Sequence, residues 1–464
     1  MGATRELSKW ILDASYIDFP NETVDCAKGL IMKSVAGMVV GSREPLGKKI
    51  IRYLSGLGGT SEAGVVGAGF RTSVENAALA AGIFAHASEL EDDEFFPTGD
   101  AVGNYWMHPA IFPLAEKLLS SGREVIEAII VSFEVASRLA QAVPRFGYRS
   151  GVCTPAYVGT LATTAAAARM LDLSVEQTEN ALSISASHAT SLANQMGYDA
   201  HFIESGHSCR AGILSAFLAE AGCNGMPEIL DRRNGFYSSV WLEDENAVDL
   251  NIITNGLGKP PFHVHGAEIK KWSSCNLTHT AVDALAMLVQ EHKIGHEDVE
   301  KVEAEVNPVC VQYCDRPFPD NLAAARFSFS YLLGEVLLRG KIPDYNTFNA
   351  KEKVRDPRFR DIQSKIQVVS RPDWSDGYKG ARVTVIKKNG EKHVKHLEAF
   401  LGHPDNPLSH KQVMDVGEGF ITAIMPEKHT KRVVEIVETM DSVADIRELM
   451  NILTFFTDQP CVHS

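Results

Sequence analysis

Six acidic side chains crowd the run His86-Ala-Ser-Glu-Leu-Glu-Asp-Asp-Glu94 and its sequel Asp100, and His108-Pro109 closes the stretch. Carboxylates held near one another raise each other's pKa, which is one way to make an acid or base useful near neutral pH. The run follows a clean helical pattern, Glu75 to His86, so the acids fall at a helix C-terminus. The helix dipole disfavours negative charge there, and a cation or a function must compensate. Taken alone, the stretch reads as an acidic surface loop.

Four further polar clusters interrupt apolar surroundings. Pro144 to Ser150 carries Arg145, Tyr148 and Arg149 beside glycine, suited to gripping a carboxylate or equally to a solvated loop. His201-Phe-Ile-Glu-Ser-Gly-His207 precedes a small-residue helix and reads as a capping loop, or as a place where glycine lets the backbone approach a ligand. Lys270 and Lys271 stand before Trp272 at the head of a helix, and a lysine in an apolar pocket has a lowered pKa and can act as a base. Tyr313 and Arg316 form the fourth cluster. His263-x-His265 lacks a third ligand at a recognisable spacing, so no metal is expected. Neither a glycine-rich phosphate loop nor a Gly-x-Ser-x-Gly elbow is present.

The elements that must position these residues change character along the chain. Up to about residue 260 the texture is Ala-rich and helical. The spacing predicts helices over 75–86, 160–171, 178–188 (opened by a Ser174/Gln177 capping box) and 211–222. Beyond it come a helix at 280–291, an alternating strand at 299–306, a helix at 325–338, and strands at 365–369 and 381–386. The last turns at Asn389-Gly390 into 392–397, a hairpin signal. From about 409 the chain is helical again. The expected fold is mainly α: a large helical domain from 1–265 and 400–464, with a smaller α+β lid from 266–399.

The 464 residues carry a net charge of −14, which argues against nucleic-acid binding, since that needs a basic face. The N-terminus carries no export or myristoylation signal, and no apolar run is long enough to span a bilayer, so a cytoplasmic protein is expected. The eight scattered cysteines read as reduced thiols, most of them in the core.

In order and spacing, these pieces resemble the MmgE/PrpD family over nearly the whole chain. The most specific are His86 to Asp93 with His108-Pro109, Gly159 to Leu171, Ser205-Gly206 through Gly222, Lys270 to His279, Arg316-Pro-Phe-Pro319 with Ala325-Arg-Phe-Ser328, and His403-Pro404 with Asn406 to Ser409. The resemblance implies a helical domain plus an α+β lid, a homodimer, no organic cofactor and a polycarboxylate substrate. It matches Lys270, His108 and Tyr313 to active-site residues. In the dehydratase and decarboxylase branches Thr stands at Asp93, His at Cys153 and Lys at His201. With those replaced, the branch most similar is the one that epimerises iminodisuccinate; a hydro-lyase acting like 2-methylcitrate dehydratase, or a decarboxylase, is the alternative.

Epimerisation inverts a carbon bearing hydrogen, a secondary amine and a carboxylate. One group must remove the proton, another must return one on the opposite face, and cations must stabilise the enolate. Lys270 is assigned as one acid/base, with His108, His201 or an Asp92/Asp93 carboxylate serving the other face. Tyr148, Arg149, His207, Lys271, Tyr313 and Arg316 are the expected substrate-binding residues, in a cleft that closes against water.

Overall fold

The computed structural model describes residues 2–96, 101–143, 151–240, 248–342, 356–375 and 377–456. Tyr148 and Arg149, with Asp100 and Arg145, lie outside the described residues. The fold is mainly α and falls into two units. The first takes Met1–Gln195, Asp199–Ala267 and Ser409–Ser464; the second takes Met196–Tyr198 and Glu268–Leu408.

The first unit holds helices α1 (Ala3–Asp13), α2 (Asn21–Arg43), α3 (Pro45–Leu57), α4 (Val74–Ala87), α5 (His108–Leu118), α6 (Gly122–Gln141), α7 (Thr154–Met170), α8 (Val175–Ala186) and α9 (Asp199–Glu220). Two short antiparallel ribbons join them: β1 (Ala63–Gly64) with β2 (Arg71–Thr72), and β3 (Asp93–Phe95) with β4 (Ala101–Gly103). Helix α4 packs on α2 and α9, and α7 on α6 and α9. Small residues set the spacing. A Cβ on Gly206 of α9 would stand 2.3 Å from the Leu79 carbonyl oxygen of α4, so the two backbones meet with nothing between them. The expected capping box opens α8, with the Ser174 hydroxyl accepting from the Gln177 amide and the Gln177 side chain accepting from the Ser174 amide.

One local expectation is overturned. Residues 201–207 are not a capping loop: they lie inside α9, which begins at Asp199. Gly206 serves helix packing and not the approach of a ligand to the backbone.

The second unit is a four-stranded sheet in the order β6-β5-β7-β8, made of β5 (Val299–Val306), β6 (Ile366–Ser370), β7 (Ala381–Lys387) and β8 (Lys392–Leu397). Only the β5/β6 pair is parallel. In β5, Val299, Val302, Ala304 and Val306 are buried, and a register shift between Val299 and Lys301 explains the break in alternation. Helices α10 (His279–His292), α11 (Pro308–Cys314) and α12 (Phe329–Arg339) belong to the same unit, with shorter helices at Leu322–Ala325 and Pro357–Ser364. Helix α12 starts later than the periodicity suggests because Ser328 caps it, its hydroxyl accepting from the Tyr331 amide. The chain then returns to the first unit as α13 (His410–Thr422), α14 (Glu427–Glu438) and α15 (Arg447–Phe455).

Candidate active site

Helix α4 ends in a sharp turn. The Ser88 amide donates to the Phe84 carbonyl, and Glu89 takes a left-handed φ of 54°, an uncommon conformation for a residue with a Cβ. This turn sends the chain inward. Glu89, Glu91, Asp92, Asp93 and Glu94 are each no more than 7% exposed, so the surface-loop reading is wrong. Strand β3 then pairs with β4, Asp93 opposite Gly103. The absence of a side chain at Gly103 leaves room for the Tyr105 ring and the Asp93 carboxylate, which a Cβ would approach to 2.2 and 2.9 Å.

Burying carboxylates demands compensation, and two cations that the sequence reading did not single out for a role here supply it. Lys33 of α2 places its Nζ 3.7 Å from Asp92 Oδ1, with both side chains fully buried. His263 lies 2.8 Å from Glu94 Oε1 through Nδ1, while Ser137 donates to Glu94 Oε2 at 2.5 Å. Behind His263, Glu134 accepts from its amide and from Arg138 Nε. Burial lifts the Glu94 pKa against these hydrogen bonds; in His263, burial pulls the pKa down but the carboxylates outweigh it, and the net direction is up. His265 turns elsewhere, to Thr23 and Cys26, so the His263-x-His265 pair does not converge.

Around this strand sits an imidazole-rich cluster. The His86 ring lies 4.2 Å from Tyr105, 4.5 Å from His201, 5.0 Å from Phe202 and 5.3 Å from Trp106. Ligand-type atoms of His86, Glu89 and Glu91 lie within 4.8 Å of one another, a donor set that could share a proton or hold a hard divalent cation. His201 Nδ1 stands 3.5 Å from Glu204 Oε2. Cys153, which precedes α7, is buried, and its thiol is pushed up by burial, by Glu204 and by Asp93. It is a protonated thiol and not a nucleophile. Two buried donors, Trp106 Nε1 and Asn104 Nδ2, have no hydrogen-bond partner among the described residues.

Two expected residues of this unit stand apart from the cluster. His108 opens α5 and is fully buried against Phe133, its ring 5.7 Å away. Burial pushes its pKa down to about 3, with only partial opposition from the Ile129 backbone, so it is a neutral imidazole at physiological pH. His207 follows His201 on α9 by six positions, about 240° around the helix. It reaches the surface, and its pKa is lowered by the partial desolvation of its ring, then by His188 and Arg210.

The second unit holds its own cationic group. Lys270 is 1% exposed. Its neighbour Lys271 donates to Asp283 at 3.0 and 3.1 Å and lies over the Trp272 ring, which stacks on His279 at 4.1 Å. The segment is fixed where the Ile269 amide donates to the Gly402 carbonyl at 2.8 Å. Lys379, which the sequence reading passed over, donates to Glu268 at 2.8 Å and to Asn276 at 2.7 Å. The Tyr313 hydroxyl accepts from Gln312, and Arg316 donates to the Met196 carbonyl while its guanidinium lies over Phe327.

Residues 5–248 match the MmgE/PrpD N-terminal domain and residues 272–442 the MmgE/PrpD C-terminal domain. Among curated relatives, a cis-aconitate decarboxylase of Aspergillus terreus (strain NIH 2624) is 23% identical over 99% of this chain and 98% of its own length. The cis-aconitate decarboxylase of Mus musculus is 25% identical over 92% and 88%, and that of Homo sapiens 26% identical over 81% and 79%.

Proposed function

The chain belongs to the MmgE/PrpD family, and from that premise we propose that it is an enzyme acting on a small polycarboxylate at a carbon beside a carboxylate group. The observation that carries this reading is the end-to-end alignment with cis-aconitate decarboxylases. Within the class, the relatives favour a lyase that removes CO2 from an unsaturated tricarboxylate such as cis-aconitate. The carbon–carboxyl bond breaks, its electron pair enters the conjugated system, and an acid delivers a proton to carbon. Trp106 Nε1 and Asn104 Nδ2, without a hydrogen-bond partner among the described residues, suit a substrate carboxylate, and burial of Lys270 suits the acid/base role that the family resemblance gives it.

One specific observation favours a second reading, epimerisation of iminodisuccinate. The three positions where this chain departs from the decarboxylase and dehydratase pattern are neighbours: Cys153 feels the charge of Asp93 and Glu204, and Glu204 faces His201. A coordinated change in one buried place suits a different substrate or a different fate for the same carbanion. Inversion at carbon uses the same proton chemistry without loss of CO2. A cytoplasmic homodimer belongs to the same proposal, and sedimentation at twice the chain mass is its test.

Proton NMR in deuterium oxide separates the two. With cis-aconitate, new vinyl signals of a dicarboxylic acid and release of CO2 establish the decarboxylase. With iminodisuccinate, loss of the α-proton signal and growth of the other diastereomer establish the epimerase. A vinyl product from 2-methylcitrate moves the assignment to the dehydratase branch, and silence with all three sinks the substrate class. In any active case, Lys270→Ala is expected to lower kcat by about 100-fold or more while circular dichroism stays unchanged; undiminished turnover removes Lys270 from the chemistry.

A further inference from the structure

Glu204 lies three residues after His201 on α9, so the two side chains share a face of the helix. Their facing atoms, His201 Nδ1 and Glu204 Oε2, are 3.5 Å apart, and neither has a hydrogen-bond partner among the described residues. His201 is only 3% exposed, so its nitrogen cannot be satisfied by bulk water. The carboxylate is not adrift: Glu204 Oε1 accepts from the Leu192 amide at 2.9 Å, which fixes the orientation of Oε2 toward the ring. A contact just beyond hydrogen-bond length between a fixed carboxylate and a buried imidazole is the resting form expected of an acid/base pair, since such contacts tighten when the ring gains a proton or substrate arrives.

The groups packed around the pair leave this role to them. From α4, His86 presents its ring at 4.5 Å, edge to face. Beside and within α7, the Cys153 thiol and the Tyr157 hydroxyl both feel Glu204 and have their pKa values raised, burial being the first cause in each, so neither supplies charge. Trp106 adds an apolar ring 6.1 Å from His201, and Asp93 adds a second negative charge near Cys153.

We propose that Glu204 is a positioning residue that orients the His201 ring, making His201 the proton carrier of the first unit. When the substrate carbon gains a proton, the imidazolium N–H bond breaks and a C–H bond forms. In the reverse direction the C–H electron pair passes into the adjacent carboxylate as the ring takes the proton. This inference rests on the proposed proton chemistry at a polycarboxylate, and its first test needs no substrate.

In full-length protein with 15N-labelled histidine, the His201 ring signals are assigned by their loss in His201→Gln and compared between wild type and Glu204→Gln at one pH. Losing the carboxylate is expected to shift the His201 Nδ1 signal, and Glu204→Asp to restore part of it. Unchanged signals overturn the pairing. With an active substrate, Glu204→Gln is expected to lower kcat roughly 10–100-fold at nearly constant KM, with Glu204→Asp recovering part of the loss. Signals that shift while kcat stays put overturn the role. Signals that shift in a protein silent on every polycarboxylate uphold the pairing and sink the substrate reading instead.

Discussion

Lys33 and Asp92 show how much a single buried pair can govern. Both side chains are fully buried at 3.7 Å, one on α2 and the other on the turn before β3. Removing one partner takes the facing charge away from the other in the buried interior, which costs more than removing both. Lys33→Met is expected to lose about 3–5 kcal/mol in urea unfolding, and Lys33→Met with Asp92→Asn to recover most of it; equal losses would mean the pair is not coupled. The sequence made the acids conspicuous but not their burial, because a dense carboxylate run normally faces water. Lys33 was hidden for the opposite reason. It sits among Leu30, Ile31, Met32 and Val35, where a helix reads as plain core. Cys153 and His201 were noticed through the family resemblance, yet their proximity to Glu204 needs the fold.

The elements that carry these residues were easier to read. The capping box at Ser174, the Asn389-Gly390 hairpin and the β5 alternation each announce themselves through local hydrogen bonding or period, and each is present. Glu204 escaped notice because recognising it as the i+3 partner of His201 requires α9 to begin at Asp199, and the polar residues with Gly206 suggested a loop. Gly206 owes its place to the neighbouring helix. Gly206→Ala is expected to destabilise the first unit by about 1–3 kcal/mol, read from thermal unfolding, because the new methyl meets the Leu79 carbonyl. The tie between β3 and the His263 segment adds a pH dependence. His263 and Glu94 both have raised pKa values in the folded protein, so the native state holds more protons than the unfolded chain. The His263 part is complete below the unfolded histidine pKa of about 6.5 and is lost as pH rises through the higher folded value, whereas the Glu94 part is complete only below the unfolded carboxyl pKa of about 4.3. Wild type is therefore expected to lose thermal stability between about pH 6 and 8, and His263→Gln to flatten that slope; parallel slopes would remove the pair as its source.

Across the whole molecule, a net charge of −14 coexists with buried cations in both units: Lys33 and Arg138 in the first, Lys270 and Lys379 in the second. The proposed polyanionic substrate would then be received by local fields and not by the overall charge. No helix among the described residues is long and apolar enough to cross a membrane. The sequence changes texture near residue 260, where helical Ala-rich sequence gives way to alternating strands; that Met196–Tyr198 joins the second unit has no such signal, since three residues carry no period. The hydrogen bond from Ile269 to Gly402 brings the segment entering the second unit beside the segment near its exit. A segment whose ends meet can be closed and reopened without changing what touches what. Joining 402 to 269 through a short linker and cutting at the exposed Asn389-Gly390 turn gives a circular permutant of that unit, with the same sheet under a different order of reading in the gene.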